Sequence, residues 1–546
     1  MKRWQTQTRI LGLLLASLFA NPSAAEELTR VDPAAPPAPV ATSKTQASVT
    51  QLDGISLNAI RCISAQSNQP RPCEFNGMSP QMQQIVTPYL HRPVSITDIL
   101  ELKNKINQVY ALHGFVNSGV SVPDQEISDN TLILVITTGR ISDIQVTSHL
   151  RDGYIQPRLS LTEPFNLTAL QTSLKLLEQD PRITRIDARV SPGTNIGSAN
   201  LILGVETEPT FNLGLSFGNN QSPSIGSNNA GITLGANNLT GWGDSLSVST
   251  SATQGLNAHA LRVSIPVTAT DITLSIEHIQ NDSSVIEEPF ADINVDSETR
   301  STRLSMDIPL IHRLDSTLSI GFTLEARQNQ TSLLGQSFSF TEGAVDGESR
   351  VAPIRLSVAY TKQGQRQSLA TRLAISRGTA YFDATPASDQ ADGEFTSYLA
   401  QLQYSRMLTE QFYMTAKLLA QYSPTTLLSV EKFALGGLDS VRGYRQNQVV
   451  RDNAVLGTIE GRYQLESVAG LELVVFTDYG AGENANDALS QGRDSLSSIG
   501  TGISYQSLSG LSAELFFAHG FQDVEVSHYD LQDEGIHFRL SYNYAF

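Results

Sequence analysis

Apolar and polar residues alternate along much of the second half of the chain. In residues 317–327 every second position is apolar, and residues 272–277 and 354–361 repeat the pattern. Successive side chains of a β-strand point to opposite faces, so strict alternation predicts strands with one apolar and one polar face. The helical periodicity seen earlier in the chain is lost after residue 208. We therefore predict an all-β region from 209 to 546.

Two architectures contain such strands: a soluble sandwich, or a barrel with lipid outside and water inside. The region holds 338 residues (546 − 208), too many for one ordinary sandwich. At about 10 residues per membrane strand plus turns, it accommodates roughly 16 strands. The chain ends on an alternating segment, 537–546, that carries Tyr542, Tyr544 and the terminal Phe546. Such a closing strand is typical of bacterial outer-membrane barrels, so we predict a transmembrane antiparallel β-barrel of about 16 strands.

Between residues 52 and 208, short strands alternate with helices in two successive units. The predicted elements of the first unit are a strand (54–63), two helices (79–90 and 95–113) and two strands (115–122 and 131–138). Those of the second are a strand (140–146), a helix (166–178) and two strands (183–190 and 200–206). Ser79 is the expected N-cap of the first helix, and Gly114 ends the second. A strand-helix-helix-strand-strand order, taken twice, predicts two small α+β modules, at 51–139 and 140–208. Many small α+β domains fit this order.

Residues 1–25 are predicted to be a secretory signal peptide. They combine a basic start, an apolar core at 10–20 and the small residues Ser23-Ala24-Ala25 before cleavage. An uncleaved membrane anchor is disfavoured because a spanning helix needs about 20 apolar residues and this core is much shorter. Residues 26–50, rich in proline and alanine, are predicted to be a linker.

The chain has two cysteines, Cys62 and Cys73. In the oxidising environment that export implies, we predict that they form one disulfide in the first module. A redox-active pair is disfavoured because the spacing is not Cys-x-x-Cys.

The charge balance and the histidines exclude several function classes. With 54 acidic and 37 basic residues and a net charge of −17, the chain has no basic surplus with which to bind nucleic acid. The nine histidines show no metal-ligand spacing, and no Gly-x4-Gly-Lys-Ser/Thr motif is present. We therefore expect no metal, no cofactor and no nucleic-acid partner. The acidic clusters at 286–288 and 292–298 are expected to lie in solvated loops.

One short motif suggests an enzyme. Residues 243–246 spell Gly-Asp-Ser-Leu, as in a lipase class whose serine is the nucleophile. Such enzymes need a general base, usually from an Asp-x-x-His near the end of the chain, and none of the nine histidines has an aspartate three residues before it. Ser245 also begins an alternating strand, which explains it without catalysis. We predict that the protein is not an enzyme.

The connection at residues 433–447 carries more chemistry than a hairpin turn needs. Gly436, Gly437 and Gly443 permit a tight backbone. Arg442 adds a rigid charged group that can donate two parallel hydrogen bonds, and Tyr444 an aromatic ring that can pack on a wall. The alternative is an unusually glycine-rich surface hairpin.

Several motifs together resemble those of a known family. They lie at 113–140, at 238–244, at Val441-Arg442-Gly443-Tyr444 and at Phe476-Thr477-Asp478-Tyr479-Gly480. In this order, with two modules and a signal peptide, they are similar to those of the two-partner secretion outer-membrane transporters. These are the TpsB class of ShlB/FhaC/HecB-like haemolysin secretion/activation proteins, in the POTRA-plus-barrel superfamily that includes BamA. The resemblance covers nearly the whole mature chain.

The resemblance implies that the two modules are POTRA domains and that residues 433–447 belong to the family's sixth extracellular loop. In such transporters this loop folds back into the barrel lumen and places its arginine against a strand aspartate, here Arg442 and Asp478. Many members also begin with an amphipathic helix that plugs the pore. The proline-rich segment 26–49 is unsuited to a long helix, so the chain departs from the family there.

Alternation places Asp478 on the same strand face as Glu472 and Phe476. We expect this face to line the lumen, because a lipid-facing carboxylate is costly. We predict a charge-assisted, partly hydrated contact between Arg442 and Asp478. In the family, Gly480 completes the motif that receives the loop.

As a member of this family, the protein is expected in the bacterial outer membrane with its POTRA modules in the periplasm. It would recognise an unfolded partner exoprotein by an N-terminal secretion domain and export it through the barrel pore, which is two-partner, or type V, secretion. The other implied partners are outer-membrane lipid and the barrel-assembly machinery that inserts the barrel. The alternative is a BamA- or TamA-like insertase or surface-delivery factor, but such insertases generally carry three or more POTRA units. A simple porin leaves residues 52–208 without a role.

Overall fold

The computed structural model of the protein describes residues 55–546 except 65–66, 76–77, 128, 387–390, 392, 487–492 and 525–528. The predicted signal peptide and linker, residues 1–50, lie outside the described residues. Among those described, one compact unit ends at Thr207 and the other begins at Glu208. Within the same residues, no helix is both long and apolar enough to cross a lipid bilayer.

The unit that ends at Thr207 contains two main sheets with helices packed against them. Its strands are β1 (Ile55–Ser56), β2 (Ala59–Ser64), β3 (Ser67–Arg71), β4 (Pro93–Val94), β5 (Gly119–Ser121), β6 (Thr131–Thr137), β7 (Arg140–Ser148), β8 (Ile183–Pro192) and β9 (Ser198–Thr207). Its α-helices are α1 (Ser79–Val86), α2 (Ile96–Leu112), α3 (Asp152–Ile155) and α4 (Leu167–Leu177).

The first module is built on a sheet ordered β3-β2-β6-β5, in which β2 and β6 run parallel. Helix α2 packs on this sheet, because its residues Ile106 and Tyr110 share one buried cluster with Leu132 and Leu134 of β6. Local signals set both ends of α2. Ser95 is the N-cap and forms a capping box with Asp98, and Gly114 follows the helix at φ +85°.

Several details of the first module differ from the sequence prediction, among them the start of α1 and the strand expected over 115–122. Helix α1 begins at Ser79 itself, with Met78 as an N-cap that makes no side-chain capping bond, so the assignment of Ser79 as cap is wrong. The strand expected over 115–122 shrinks to β5. The residues before it form turns, since Phe115 N–H donates to the Tyr110 carbonyl and Ser118 N–H to the Phe115 carbonyl. Packing of the turn against the helix end therefore overrides the local β-propensity.

Cys62 and Cys73 form a disulfide, with Cα atoms 4.8 Å apart. Cys62 lies on β2, and Cys73 follows the edge strand β3. The bond therefore joins the middle of the sheet to the segment that leaves its edge.

The second module has a sheet ordered β7-β9-β8, in which β7 runs parallel to β9. Helices α3 and α4 lie between β7 and β8 in the chain, which gives the expected strand-helix-helix-strand-strand order, although the sequence analysis had located only α4. Asn166 caps α4 by accepting from the Ala169 N–H. The two modules also share backbone hydrogen bonds: Phe165 N–H donates to the Gly139 carbonyl and Leu167 N–H to the Gly114 carbonyl, both at 2.8 Å.

The unit that begins at Glu208 is all β. Its strands are β10 (Phe211–Gly218), β11 (Asn229–Asn237), β12 (Ser245–Ala252), β13 (Leu256–Pro266), β14 (Thr273–Ser284), β15 (Val295–His312), β16 (Ser316–Leu333), β17 (Gln336–Ser337), β18 (Glu348–Gln363), β19 (Gln367–Thr379), β20 (Thr396–Met407), β21 (Phe412–Tyr422), β22 (Phe433–Leu435), β23 (Val449–Arg451), β24 (Asn453–Gln464), β25 (Leu471–Glu483), β26 (Asp494–Gln506), β27 (Leu511–Gly520) and β28 (Ile536–Ala545).

Sixteen of these strands, all but β17, β22 and β23, form one closed antiparallel barrel in chain order. β28 closes the barrel onto β10 through seven residue pairs, from Asn212–Ala545 to Gly218–Arg539. The short β17 pairs with the end of β16, and β22 pairs with β23 in a separate small sheet. The predicted antiparallel barrel of about 16 strands is confirmed.

The two strand faces differ as the alternation predicts. On β25, Leu473, Val475 and Tyr479 are exposed on the outside, whereas Phe476 and Asp478 are buried on the inside. The last strand carries its aromatic residues outward in the same way, with Tyr544 and Phe546 about half exposed. Phe546 pairs through its backbone with Phe211, so the chain end completes the ring of strands.

Candidate functional site

We call the barrel end at which β10 ends the far rim. The connection between β21 and β24, residues 423–452, is the sixth far-rim connection in chain order. Its middle, residues 436–448, is called the loop tip. The small sheet of β22 and β23 holds the two arms of the tip together. Gly436, at φ +102°, could not carry a side chain, because a Cβ there would lie 2.4 Å from the Arg445 carbonyl oxygen.

The loop tip lies inside the barrel. Val441, Arg442 and Tyr444 are all at most 5% exposed, and they contact residues on the inner faces of the strands. A glycine-rich surface hairpin, the alternative left open by the sequence, does not describe this segment.

Arg442 is held by two carboxylates of neighbouring strands. Its Nε donates to Asp478 Oδ2 at 2.8 Å and its Nη2 to Asp478 Oδ1 at 2.9 Å, while Nη1 donates to Glu460 Oε2 at 2.8 Å. The backbone N–H of Arg442 also donates to Asp478, at 3.2 Å. The exposed fractions of these side chains are 6% for Arg442 and Glu460 and 0% for Asp478. The sequence prediction of a partly hydrated pair is therefore wrong, because the loop tip itself covers the contact.

The other residues of the strand motif shape the place where the arginine lies. The guanidinium carbon of Arg442 is 3.3 Å from the centroid of the Phe476 ring, a stacked cation–π contact. A Cβ at Gly480 would lie 2.8 Å from Val441 Cγ2 and 2.9 Å from Leu435 Cδ2. The phenylalanine thus supports the charge, and the glycine leaves room for the loop to reach the strand.

Glu460 begins a chain of buried charges along the inner wall. Arg462 Nε donates to Glu460 Oε1 at 2.6 Å and Arg462 Nη1 to Glu472 Oε2 at 3.1 Å. The hydroxyl of Tyr413 donates to Glu472 at 3.0 Å. Each buried charge therefore has an opposite charge beside it, which is the condition for burying charges at all.

The rest of the tip motif contacts the last strands. Gly443 N–H donates to His537 Nε2 at 2.9 Å. The Tyr444 hydroxyl accepts from the Gln522 N–H at 2.9 Å and lies 2.9 Å from the Ser497 carbonyl oxygen. The tip is thus fixed on β28 and near the rim ends of β26 and β27 as well as on β24 and β25.

Arg445 joins the tip to two other far-rim connections. It donates to Asp533 from Nε at 2.6 Å and from Nη2 at 2.8 Å, and Nη1 donates to Glu287 Oε1 at 2.7 Å. Glu287 belongs to the acidic cluster that the sequence assigned to a solvated loop. The residue does lie in a connection between strands, but it is not freely solvated, because its side chain is 19% exposed and ion-paired with Arg445.

A second contact holds the start of the loop on a different part of the wall. Arg355 of β18 donates to Glu431 Oε1 at 2.8 Å and to Glu325 Oε2 of β16 at 3.2 Å. Arg303 and Arg327 also bind Glu325, whose side chain is completely buried. The loop is therefore attached at Glu431 and again at Arg442.

Sequence reasoning found Arg442 and Asp478 but missed Glu460, Glu431 and His537. Glu460 could have been found by the same argument as Asp478. A carboxylate that faces lipid is costly, so Glu460 on β24 must also face the lumen. Glu431 and His537 carry no comparable local signal.

The motif at 238–244 is the turn between β11 and β12. Asn238 adopts φ +56°, and Asp244 Oδ1 accepts from the Thr240 N–H at 2.9 Å. Ser245 is the first residue of β12. The Gly-Asp-Ser-Leu sequence is accordingly a turn followed by a strand.

Comparisons with known proteins agree with this architecture. Residues 197–505 match the family described as haemolysin secretion/activation protein ShlB/FhaC/HecB, and residues 76–139 match the ShlB-type POTRA domain. The heme/hemopexin transporter protein HuxB of Haemophilus influenzae (strain 86-028NP) is 24% identical over 454 residues, which are 78% of each chain. The outer membrane transporter CdiB of Dickeya dadantii (strain 3937) is 22% identical over 66% of this chain and 65% of its own.

Solved structures share the fold. CdiB from Escherichia coli has a TM-score of 0.64 at 16% identity and covers 92% of this chain and 93% of its own. BamA from Haemophilus ducreyi lacking POTRA domains 1–3 has a TM-score of 0.55 at 13% identity and covers 90% and 100%.

The family match spans 309 of the 546 residues (197 to 505), more than half of the chain, and includes both Arg442 and Asp478. The first module carries the family's own type of POTRA domain, and POTRA domains are periplasmic in these outer-membrane transporters. The chain therefore belongs to the ShlB/FhaC/HecB family of haemolysin secretion/activation proteins, which are β-barrel transporters of the bacterial outer membrane.

Proposed function

We propose that the protein recognises an unfolded partner exoprotein in the periplasm through both modules and exports it through the barrel. The observation that carries this proposal is the buried contact of Arg442 with Asp478 and Glu460. This contact holds a loop across the lumen by hydrogen bonds and ion pairs, which can break and form again. A barrel that conducts a protein requires such a movable loop, whereas a permanently open porin does not.

The second module offers the longer sites for binding an extended client. Within the described residues, the edge strands of the first sheet are β3, which contains Pro70, and β5, which has three residues. The edges of the second sheet are β7 and β8, with nine and ten residues. A client strand added there would bind mainly by backbone hydrogen bonds, which demand little of the client's sequence.

The outward aromatic residues of β28 support a further partner. Tyr542 and Tyr544 lie near the end of β28, the strand that closes the barrel, and Phe546 follows that strand directly. We infer that the barrel-assembly machinery recognises this end during insertion into the outer-membrane lipid.

Secretion of a candidate exoprotein with an N-terminal secretion domain tests the proposal. Cells that express the full chain should release the exoprotein, and cells whose chain lacks 140–208 should retain it while the barrel still inserts. Secretion that survives loss of both modules would contradict the proposal. The insertase alternative predicts instead that other barrel proteins disappear from the outer membrane when this protein is removed.

A further inference from the structure

Cations are concentrated at one place on the near rim, which we define as the barrel end at which β10 begins. This rim faces the periplasm, because β10 directly follows the second POTRA module in the chain. Among the described residues, seven turns lie there, and only those at 313–315 and 364–366 contain a basic residue, Arg313 and Arg366. The two turns are neighbours, since Gln363 N–H donates to the Asp315 carbonyl at 2.7 Å.

The strand register brings two more cations to the same segment of the rim. Lys362 of β18 lies directly opposite Leu369 of β19, and Arg406 of β20 lies opposite Gln367 of β19. Two strand spacings of about 4.8 Å and one two-residue step of about 6.8 Å separate the Cα atoms of Lys362 and Arg406. The distance between these Cα atoms is therefore about 12 Å, which two long side chains can bridge from either side.

Lys362 and Arg406 lie on the outer face of the barrel. Val358 of β18 and Leu402 of β20 are exposed on this face. Each cation follows one of them by four residues, an even number that keeps the same face of a strand. Both cations are themselves exposed. They therefore lie where the apolar outer surface of the barrel ends at the near rim, a depth from which long basic side chains reach lipid headgroups.

Two neutral polar groups lie between these cations. Gln367 is on β19, the strand between β18 and β20, and the hydroxyl of Tyr404 donates to Gln367 Oε1 at 3.1 Å. This hydrogen bond occupies the amide oxygen and leaves the amide nitrogen as a donor for a ligand. Tyrosine at this depth is typical of the aromatic belts at membrane–water interfaces. We call the following set the near-rim patch: Arg313, Lys362, Arg366, Gln367, Tyr404 and Arg406.

The near-rim patch has more positive than negative charge. Within the described part of the chain, neither Lys362 nor Arg406 lies within ion-pair distance of a carboxylate. The adjoining turns contribute two carboxylates, Asp315 and Glu410, against the four cations of the patch. A local surplus of cations in a chain of net charge −17 favours an anionic ligand at this place.

We propose that the near-rim patch binds the phosphate headgroup of an anionic phospholipid in the periplasmic leaflet of the outer membrane. Lys362 and Arg406 bind the phosphate from two sides, and the Gln367 amide donates a hydrogen bond between them. The acyl chains pack on the outward Val358, Leu402 and their neighbours. A lipid fits better than a soluble anion, because the cations lie at the edge of an apolar surface that also needs to be covered. This binding needs only the barrel in a bilayer and does not depend on export.

Native mass spectrometry of the full chain tests the proposal. The chain is released from nanodiscs that contain equal amounts of phosphatidylglycerol, which is anionic, and phosphatidylethanolamine, which has no net charge. The wild type should retain phosphatidylglycerol in preference. Each lysine or arginine near an anionic membrane surface contributes a factor of about five to affinity. Lys362→Gln and Arg406→Gln should therefore each lower the preference about fivefold, and the double variant about 25-fold. Lys362→Arg and Arg406→Lys keep the charge and should retain most of the preference.

Arg377→Gln is the matched control. Arg377 lies on the outer face of β19, the strand that carries Gln367, but near its far-rim end. Its cross-strand neighbours are Ile354 and Thr396, neither of which is charged. The substitution removes the same charge from the same surface and should leave the preference at the wild-type value. The shift of the barrel band on heating before gel electrophoresis shows that each variant is folded.

Four results would overturn the proposal. One is equal retention of the two lipids by the wild type, and another is an unchanged preference in the double variant. A loss in Arg377→Gln as large as that in Lys362→Gln would indicate general attraction of anions to the barrel in place of a site. Displacement of the retained lipid by added inorganic phosphate would show that the patch binds a free anion.

Discussion

Asp478 on β25 accepts three hydrogen bonds from Arg442, two from the guanidinium at 2.8 and 2.9 Å and one from the backbone N–H at 3.2 Å. One carboxylate therefore fixes both the side chain and the backbone of the arginine. An ion pair alone could form with the arginine in many orientations. The side-chain and backbone hydrogen bonds together allow only one position of the loop. We accordingly expect changes here to act on where the loop lies more than on whether the barrel forms.

Arg442→Ala and Asp478→Ala should each leave a folded barrel and impair secretion. Removing one partner of a buried pair leaves the other charge buried, at a cost of about 3–5 kcal/mol to the seated loop. The double variant should be little worse than either single one, because coupled residues are not additive. The measurements are the exoprotein released and the heat-shifted band of the folded barrel. Normal secretion by both single variants contradicts this role.

Gly480→Ala should displace the loop tip without changing any charge. The added Cβ would meet Val441 and Leu435 at less than 3.0 Å, so the loop must move. Overpacking of this kind costs about 1–3 kcal/mol. Gly457→Ala on β24 is the matched control, because a Cβ there meets nothing within 4 Å. Exposure of residues 436–448 to a protease measures the difference, and equal exposure in the two variants would contradict the expectation.

Asp98→Asn should change the acid stability of the first module. Hydrogen bonds from the backbone and side chain of Ser95, and then from Arg92, lower the pKa of Asp98 from 3.8 to about 2. The charged form of Asp98 is thus favoured in the folded state. Its contribution to the stability of the first module is complete above pH 4 and is lost as the pH falls through about 2. Hydrogen exchange of α2 should differ between wild type and variant at pH 5 and converge near pH 2. Glu101→Gln, which keeps the cap, should follow the wild type.

Cys62 and Cys73 should resist alkylation in protein taken from the cell envelope until a reductant is added. Intact-mass analysis distinguishes the two states by the added labels. Replacing both residues by serine should lower the stability of the first module by about 3 kcal/mol, as expected for opening a short loop. Free thiols in the untreated protein would show that the bond does not form in the cell.

Features that depend on neighbouring residues could be predicted from the sequence. Strict alternation from 209 onward predicted strands with one apolar and one polar face, and the length of the region with its aromatic closing segment favoured a barrel over a sandwich. Helix α2 followed from the helical spacing of its apolar residues, and its end followed from Gly114. Alternation alone placed Asp478 on the lumen face of its strand. The resemblance to the family's motifs then paired Asp478 with Arg442, which alternation could not have done.

Only the tertiary structure decided the contacts between strands that are distant in the sequence. Glu431 meets Arg355, and Gln446 meets Gln532, because barrel closure brings together segments that are 76 and 86 residues apart. The depth of Arg442 was also decided there: the sequence predicted a partly hydrated pair, but the folded loop covers its own contact and leaves it almost fully buried. Local patterns determine which face a residue occupies, because the pleat has a fixed period. They cannot determine which residue faces it across the lumen, because that depends on how the whole sheet curls and closes.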